Sequence, residues 1–351
     1  MKVGIIGFGT TGRSSLYRAA ARGQAKGDVT AVPVPDARFD AIVDQVKPKK
    51  ITPATVVLHD DLDPVTHGAK RFTQRFLDNA RKMDVLLNVV RAFESPMAPY
   101  EVDIDPLRDQ TTVDEELLLA DLAIIENRLE RLAKSLNARQ PGHADYLEKR
   151  LFERIREPLE NGQPIREMEL DEDEQMIVRN YQFLSAKPMV VCFNVNEAEA
   201  VAQSPRVAER MRALAASGTP AFAVCATIED EVAQLDPADQ PEFLASLGLS
   251  APASHRVIQA VYEGMGLITF FTAGENETRA WALRRGANAV KAAGTIHTDI
   301  AKGFIRAEVV SYADYTVAGS LDAAYSAGKM RLEGKEYVVQ DGDLLHIRNK
   351  S

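Results

Sequence analysis

The chain opens with a short β-branched run at residues 2–6 (KVGII), a glycine-rich loop from Gly7 to Gly12 (GFGTTG) and a helix-forming stretch from Arg13 to Gly23. A strand that turns through glycines directly into a helix commits the N-terminus to an α/β unit, with the helix start facing the loop. The first turn of that helix leaves backbone N–H groups unsatisfied, so this junction is suited to an anion. Further short apolar runs follow at VTAVPV, ATVVLH, VLLNVV, PMVVCFNV and PAFAVCA, separated mostly by amphipathic stretches. Strands alternating with helices predict a mainly parallel sheet covered on both faces.

The loop satisfies two patterns at once. As GxGxxG, Gly7, Gly9 and Gly12 match the dinucleotide fingerprint, and Asp36 supplies an acid where a ribose-binding carboxylate is expected, which keeps a NAD-binding oxidoreductase as a minor alternative. As GxxxxG followed by a basic residue and serine, the same residues match a phosphate-binding loop with Arg13 in the lysine position and Ser14 on the magnesium side. A third reading makes the glycines a tight strand-to-helix turn and nothing more.

Between Val113 and Leu136 the pattern changes. Leu118, Leu122, Ile125, Leu129, Leu132 and Leu136 recur at spacings of four and three, the mark of a helix with one apolar seam. A second amphipathic run with Leu147, Leu151, Ile155 and Leu159 is expected to fold back on it as an antiparallel hairpin. From Gly266 onward short β-type runs punctuated by glycines predict a separate small α+β domain.

At 351 residues the chain exceeds what one core usually supports. A net charge of −9 argues against indiscriminate nucleic-acid binding, so no DNA partner is expected. No run reaches the roughly 18 apolar residues of a spanning helix and the N-terminus lacks a signal-peptide pattern, so the expectation is a cytoplasmic protein with no membrane partner. Cys192 and Cys225 lie in apolar runs and are expected to be buried thiols.

The stretches TAGENETRAW, AAGTIHTDIAKGFIRAEV and LEGKEYVVQDGD resemble the C-terminal region of the YchF, or Obg-like ATPase, family. VPVPDARFDAIVDQVKPKK and DVLLNVVRAFE with DPLRD resemble its G-domain segments, so the resemblance covers nearly the whole chain. It implies an interrupted G domain of P-loop NTPase type (residues 1–109 and 186–265), an inserted helical hairpin (110–185) and a C-terminal β-grasp TGS domain (266–351). It also implies a purine nucleotide, ATP over GTP, with magnesium, and association with the ribosome or RNA through the TGS domain, for which Lys291, Lys302 and Arg306 are candidates. The nucleotide-binding residues carried over are Gly7, Thr10, Thr11, Gly12, Arg13, Ser14 and Ser15, together with Asn194, Val195, Asn196 and Glu197, which match the family's NxxE. Asn194 is expected to hold an adenine edge, and Ser14 and Asp60 to hold magnesium.

Three departures from an active NTPase converge. Arg13 replaces the compact lysine ammonium. The threonine-bearing segment between helix and second strand is short, with Thr30 a weak substitute. In HDDLDP, Asp60 fits the acid of a DxxG turn but Asp63 stands at the glycine, where its charge is expected to repel a triphosphate. Lys70, Arg71 or Arg75 reaching into the site would compensate. The expectation is a nucleotide-binding regulator with weak or lost hydrolysis, a pseudo-GTPase in effect. The alternative is a nucleotide-independent scaffold that binds RNA or protein through the TGS domain and hairpin.

Overall fold

A computed structural model describes residues 1–22, 24–68, 71–201, 204–236, 238–249 and 251–350, the side chain of Val201 excepted. The expected helix end at Gly23 lies outside the described residues. The chain forms two compact units, one of residues 1–31 and 57–264, the other of residues 32–56 and 265–351.

The described residues form twelve strands: β1 (Lys2–Ile6), β2 (Val29–Pro33), β3 (Ile51–Thr52), β4 (Thr55–His59), β5 (Val85–Ala92), β6 (Met189–Val195), β7 (Ala221–Val224), β8 (Leu267–Thr272), β9 (Thr278–Arg284), β10 (Phe304–Val310), β11 (Arg331–Glu333) and β12 (Leu344–Asn349). The first sheet runs in the order β2-β4-β1-β5-β6-β7. β1 pairs in parallel with β4 and β5, and β5, β6 and β7 continue in parallel. β5 and β6 are almost wholly buried, as expected of central strands covered on both faces. One face packs Ile6, Leu86, Val191 and Phe193 against Phe76, Val113 and Leu117.

The helix Pro106–Leu132 leaves this sheet, capped by Asp105, whose carboxylate accepts from the N–H groups of Leu107 and Arg108. After a short turn the chain returns in the helix Ala144–Glu160. Leu118, Leu122 and Ile125 meet Leu151, Phe152, Ile155 and Leu159 in one apolar core, joined by Val178 and Phe183. The seam ends earlier than its spacing implied: the helix stops at Leu132, and Leu136 is 73% exposed. Ile155, fully buried in this core, offers a direct test. Ile155→Ala should cost about 2–5 kcal/mol of stability, seen as faster amide exchange across both hairpin helices.

The second sheet has the order β11-β10-β12-β8-β9-β3. β8 and β9 form an antiparallel hairpin, the helix Ala289–Ile296 follows, and β12 returns between β8 and β10, parallel to the one and antiparallel to the other. This is a β-grasp arrangement. The short strand β3 pairs in parallel with β9, and Phe39 and Ile42 of the helix Ala37–Val46 pack with Phe271, Val310 and Leu344. Residues 32–56, expected within the first part of the G domain, are therefore grouped with this unit. Among the described residues no helix is long and apolar enough to cross a membrane.

Candidate functional site

β1 ends at Ile6 and the glycine loop turns immediately into the helix Arg13–Ala20. Gly7 has φ +145° and Gly12 φ +88°, and a Cβ on Gly7 would strike the Val89 carbonyl. These two positions need glycine for that reason. Thr10 also takes a positive φ, of 57°, which a β-branched residue adopts only when its surroundings enforce it. Gly12 is the N-cap and offers no side-chain cap, so the first-turn N–H groups of the helix face the loop without an intrahelical acceptor. Phe8, Gly9, Thr10 and the residues through Ser15 line a cleft of about 350 Å³ together with Pro64. The result is a concave run of N–H groups at a positive helix end, an anion cradle.

The loop is held from below by β6. Asn194, 3% exposed, donates from Nδ2 to the Thr11 carbonyl at 2.9 Å and accepts through Oδ1 from the Ala226 N–H at 2.9 Å. Asn194, expected to hold an adenine edge, thus bridges two backbone groups of the protein with one of its two N–H donors and its amide oxygen. The Val195 side chain is buried in the sheet core, so any nucleotide contact expected there falls to its backbone. Asn196 accepts from the Glu199 N–H, and Glu197 opens the short helix Glu197–Val201 at the rim of a second cleft of about 270 Å³. That cleft is lined by Ala198, Ala200, Cys225, Ile228, Leu247 and Leu249. Asn194 connects the two clefts, touching Thr11 on one side and the residue after Cys225 on the other.

Arg13 departs most from expectation. Its guanidinium is engaged within the protein, donating to the carbonyls of Leu62 (2.9 Å) and Asp63 (3.3 Å), with the Asp60 carboxylate at 3.5 Å. Burial lowers the Arg13 pKa, against the raising influence of Asp60 and Asp63. Ser14 donates to Asp60 at 2.6 Å. Burial raises the Asp60 pKa, and the bonds from Ser14 and Arg13 oppose that shift. The Ser14 and Asp60 oxygens are of the hard type magnesium takes, but they are closed on each other and Arg13 already supplies positive charge there. The fit to a metal is partial. Among the described residues no group of three or more His, Cys, Asp or Glu side chains is arranged to hold one.

The remaining side chains divide similarly. Thr11 donates its hydroxyl to the Phe8 carbonyl, and Ser15 accepts from Arg18. Thr30 is bonded to the Tyr17 hydroxyl at 2.7 Å, which occupies the weak substitute proposed for the missing threonine. Asp63 turns its carboxylate to Thr73 (2.6 Å) and Arg75 (3.8 Å), so the expected charge beside a triphosphate is already bonded. Arg71 pairs with Glu116, Arg75 with Asp63, and Lys70 lies outside the described residues. The backbone of residues 62–66 is stitched to the loop, Val65 donating to the Gly7 carbonyl and accepting from Gly9.

Asp36 caps the helix Ala37–Val46 and is bonded by Arg38, which removes it as a free ribose ligand. The sheet supplies the stronger discrimination. Numbered within the first sheet alone, its strands run 2-3-1-4-5-6, whereas the dinucleotide fold runs 3-2-1-4-5-6. A glycine loop at the end of strand 1, beneath a helix N-terminus in a sheet of this order, defines a P-loop NTPase fold. A sequence profile described as "YchF-GTPase_C: Protein of unknown function (DUF933)" matches residues 267–350. The chain is 40% identical over 361 residues to the "Ribosome-binding ATPase YchF" of Haemophilus influenzae, covering 99% of this chain and 98% of that one. Identity is 36% to the protein of the same name from Bacillus subtilis (99% and 99% covered) and 31% to "Obg-like ATPase 1" of Oryza sativa subsp. japonica (99% and 92%). The structure of the Schizosaccharomyces pombe YchF GTPase superposes with a TM-score of 0.86 at 29% identity, covering 99% of this chain and 97% of that one. The chain belongs to the YchF family.

Proposed function

We propose that this protein binds a purine nucleoside triphosphate, ATP over GTP, at the glycine loop and works as a ribosome-associated regulator with weak or lost hydrolysis. One observation carries the reading: the backbone cradle at Gly12–Ser15 is kept, while the cation that should accompany it, on Arg13, is tied down on the carbonyls of Leu62 and Asp63. Backbone N–H groups suffice to hold phosphate. Acceleration of its transfer needs charge aimed at the transition state, and loss of one such contact commonly lowers the rate by about 10² to 10³. The apolar cleft beside Glu197 and Cys225 is of a kind suited to a purine ring. Magnesium, where bound, would be held by Ser14 and Asp60, weakly because their mutual bond must open. The relatives' names supply the ribosome, and the C-terminal β-grasp unit, read as a TGS domain, has Lys291, Lys302 and Arg306 exposed, the candidates for contact with RNA phosphate.

Calorimetry with ATP, GTP and NAD tests the binding half. ATP should bind more tightly than GTP and NAD not at all, whereas silence with every purine triphosphate at millimolar concentration would leave only the scaffold reading. Turnover assayed beside the Haemophilus influenzae relative should be about 100-fold slower or more, and equal rates would remove the claim of weakened hydrolysis. Cosedimentation with ribosomes should fall steeply as salt rises, and binding indifferent to salt would argue against phosphate contacts.

A further inference from the structure

Among the described residues Arg91 is the largest fully buried side chain, 1% exposed near the end of β5. An arginine is almost never so buried unless it is paired. Here its hydrogen bonds go to carbonyls: Nη1 donates to Thr10 at 2.8 Å, Nη2 to Ala98 at 2.7 Å and Nε to Phe93 at 3.1 Å. Nη1 also lies 3.4 Å from the Thr10 hydroxyl. The guanidinium carbon stands 4.3 Å from the Phe93 ring centroid and 5.0 Å from that of Tyr100, so two ring faces complete the enclosure.

Register explains the placement. Arg91 of β5 is the strand partner of Asn194 of β6, and these neighbours grip successive carbonyls of the glycine loop, Arg91 that of Thr10 and Asn194 that of Thr11. If only core volume were needed, an apolar residue such as the adjacent Val89 or Val90 would avoid the desolvation of a charge. A buried fork that bonds Thr10, the strained residue of the loop, is suited to holding that turn in one conformation.

We propose that Arg91 is a positioning residue of the nucleotide cradle, its buried guanidinium fixing the turn at Thr10 and tying the loop to residues 93–98. This rests on the reading of the loop as a nucleotide site. Arg91 touches no phosphate; it acts by keeping the N–H groups that follow Thr10 aimed into the cleft. Its loss should therefore harm a ligand in proportion to the phosphates it carries.

The test compares ATP with adenosine on the full chain, by calorimetry and ligand-observed NMR, for wild type, Arg91→Met and Arg91→Lys, with a thermal melt of each. Arg91→Met should weaken ATP about tenfold or more and leave adenosine within about twofold. Arg91→Lys, which keeps the charge but not the fork, should recover part of the loss. Should Arg91→Met fail to fold, the same ATP-to-adenosine comparison on Arg91→Lys decides alone. Equal weakening of both ligands would show a merely structural role, and unchanged ATP affinity would also overturn the proposal. A wild-type protein that binds neither ligand would instead overturn the nucleotide reading on which it stands.

Discussion

Asn194→Ala is expected to lower stability by about 3 kcal/mol, because it leaves two buried backbone groups, the Thr11 carbonyl and the Ala226 N–H, without partners. For a unit of this size the melting temperature should fall by roughly 6–12 °C, and ATP affinity should fall with it as the loop loosens. The same side chain sets the penalty at Gly12, where an added Cβ would collide with the Asn194 amide nitrogen. Gly12→Ala alone carries that collision and the strain of a φ of +88°. In an Asn194→Ala background the collision is gone and only the backbone strain remains. The double-mutant cycle by thermal denaturation should therefore be non-additive, the pair costing less than the sum. Strict additivity would mean that Gly12 and Asn194 do not meet in solution.

This dependence of a loop glycine on an asparagine 182 positions away shows which part of the site was legible from residues alone. The turn from β1 into the first helix, the parallel sheet and the hairpin seam each rest on local spacing, and glycine positions and leucine periodicity carry that information. Asn194 was legible as a motif residue but not as a clamp, because its partners are chosen by the register of β6 against β5 and by the approach of Ala226. Arg91 gave no local signal. It sits within LLNVVRAF, reads as the end of an apolar strand, and acquires its role only when the segment Phe93–Ala98 folds over it. β3 is two residues long, and its pairing with β9 joins positions more than 220 apart. The inward turn of Arg13 was hidden for a related reason. A basic residue after Gly12 signals charge at a phosphate loop, and only the carbonyls of Leu62 and Asp63 reveal that the charge is spent elsewhere.

Replacing that arginine by lysine should move stability and binding in opposite directions. Arg13 spans two carbonyls with its fork and faces Asp60 in a place where both side chains are about nine-tenths buried. A lysine cannot reproduce the fork, and loss of those charge-assisted bonds should cost about 1.5–3 kcal/mol. Its ammonium is compact and flexible, however, and once free of the tether it can reach phosphates held by the loop. One added contact of about 1.4 kcal/mol tightens ATP roughly tenfold, so Arg13→Lys should melt earlier without ligand and yet bind ATP more strongly. Arg13→Met separates the two effects, losing stability with no gain in affinity. Calorimetry and apo-protein melts on the three proteins read both quantities. Weaker ATP binding by Arg13→Lys would mean that the arginine leaves Leu62 and Asp63 to serve the phosphates when nucleotide arrives, and the account of an immobilised cation would then fail.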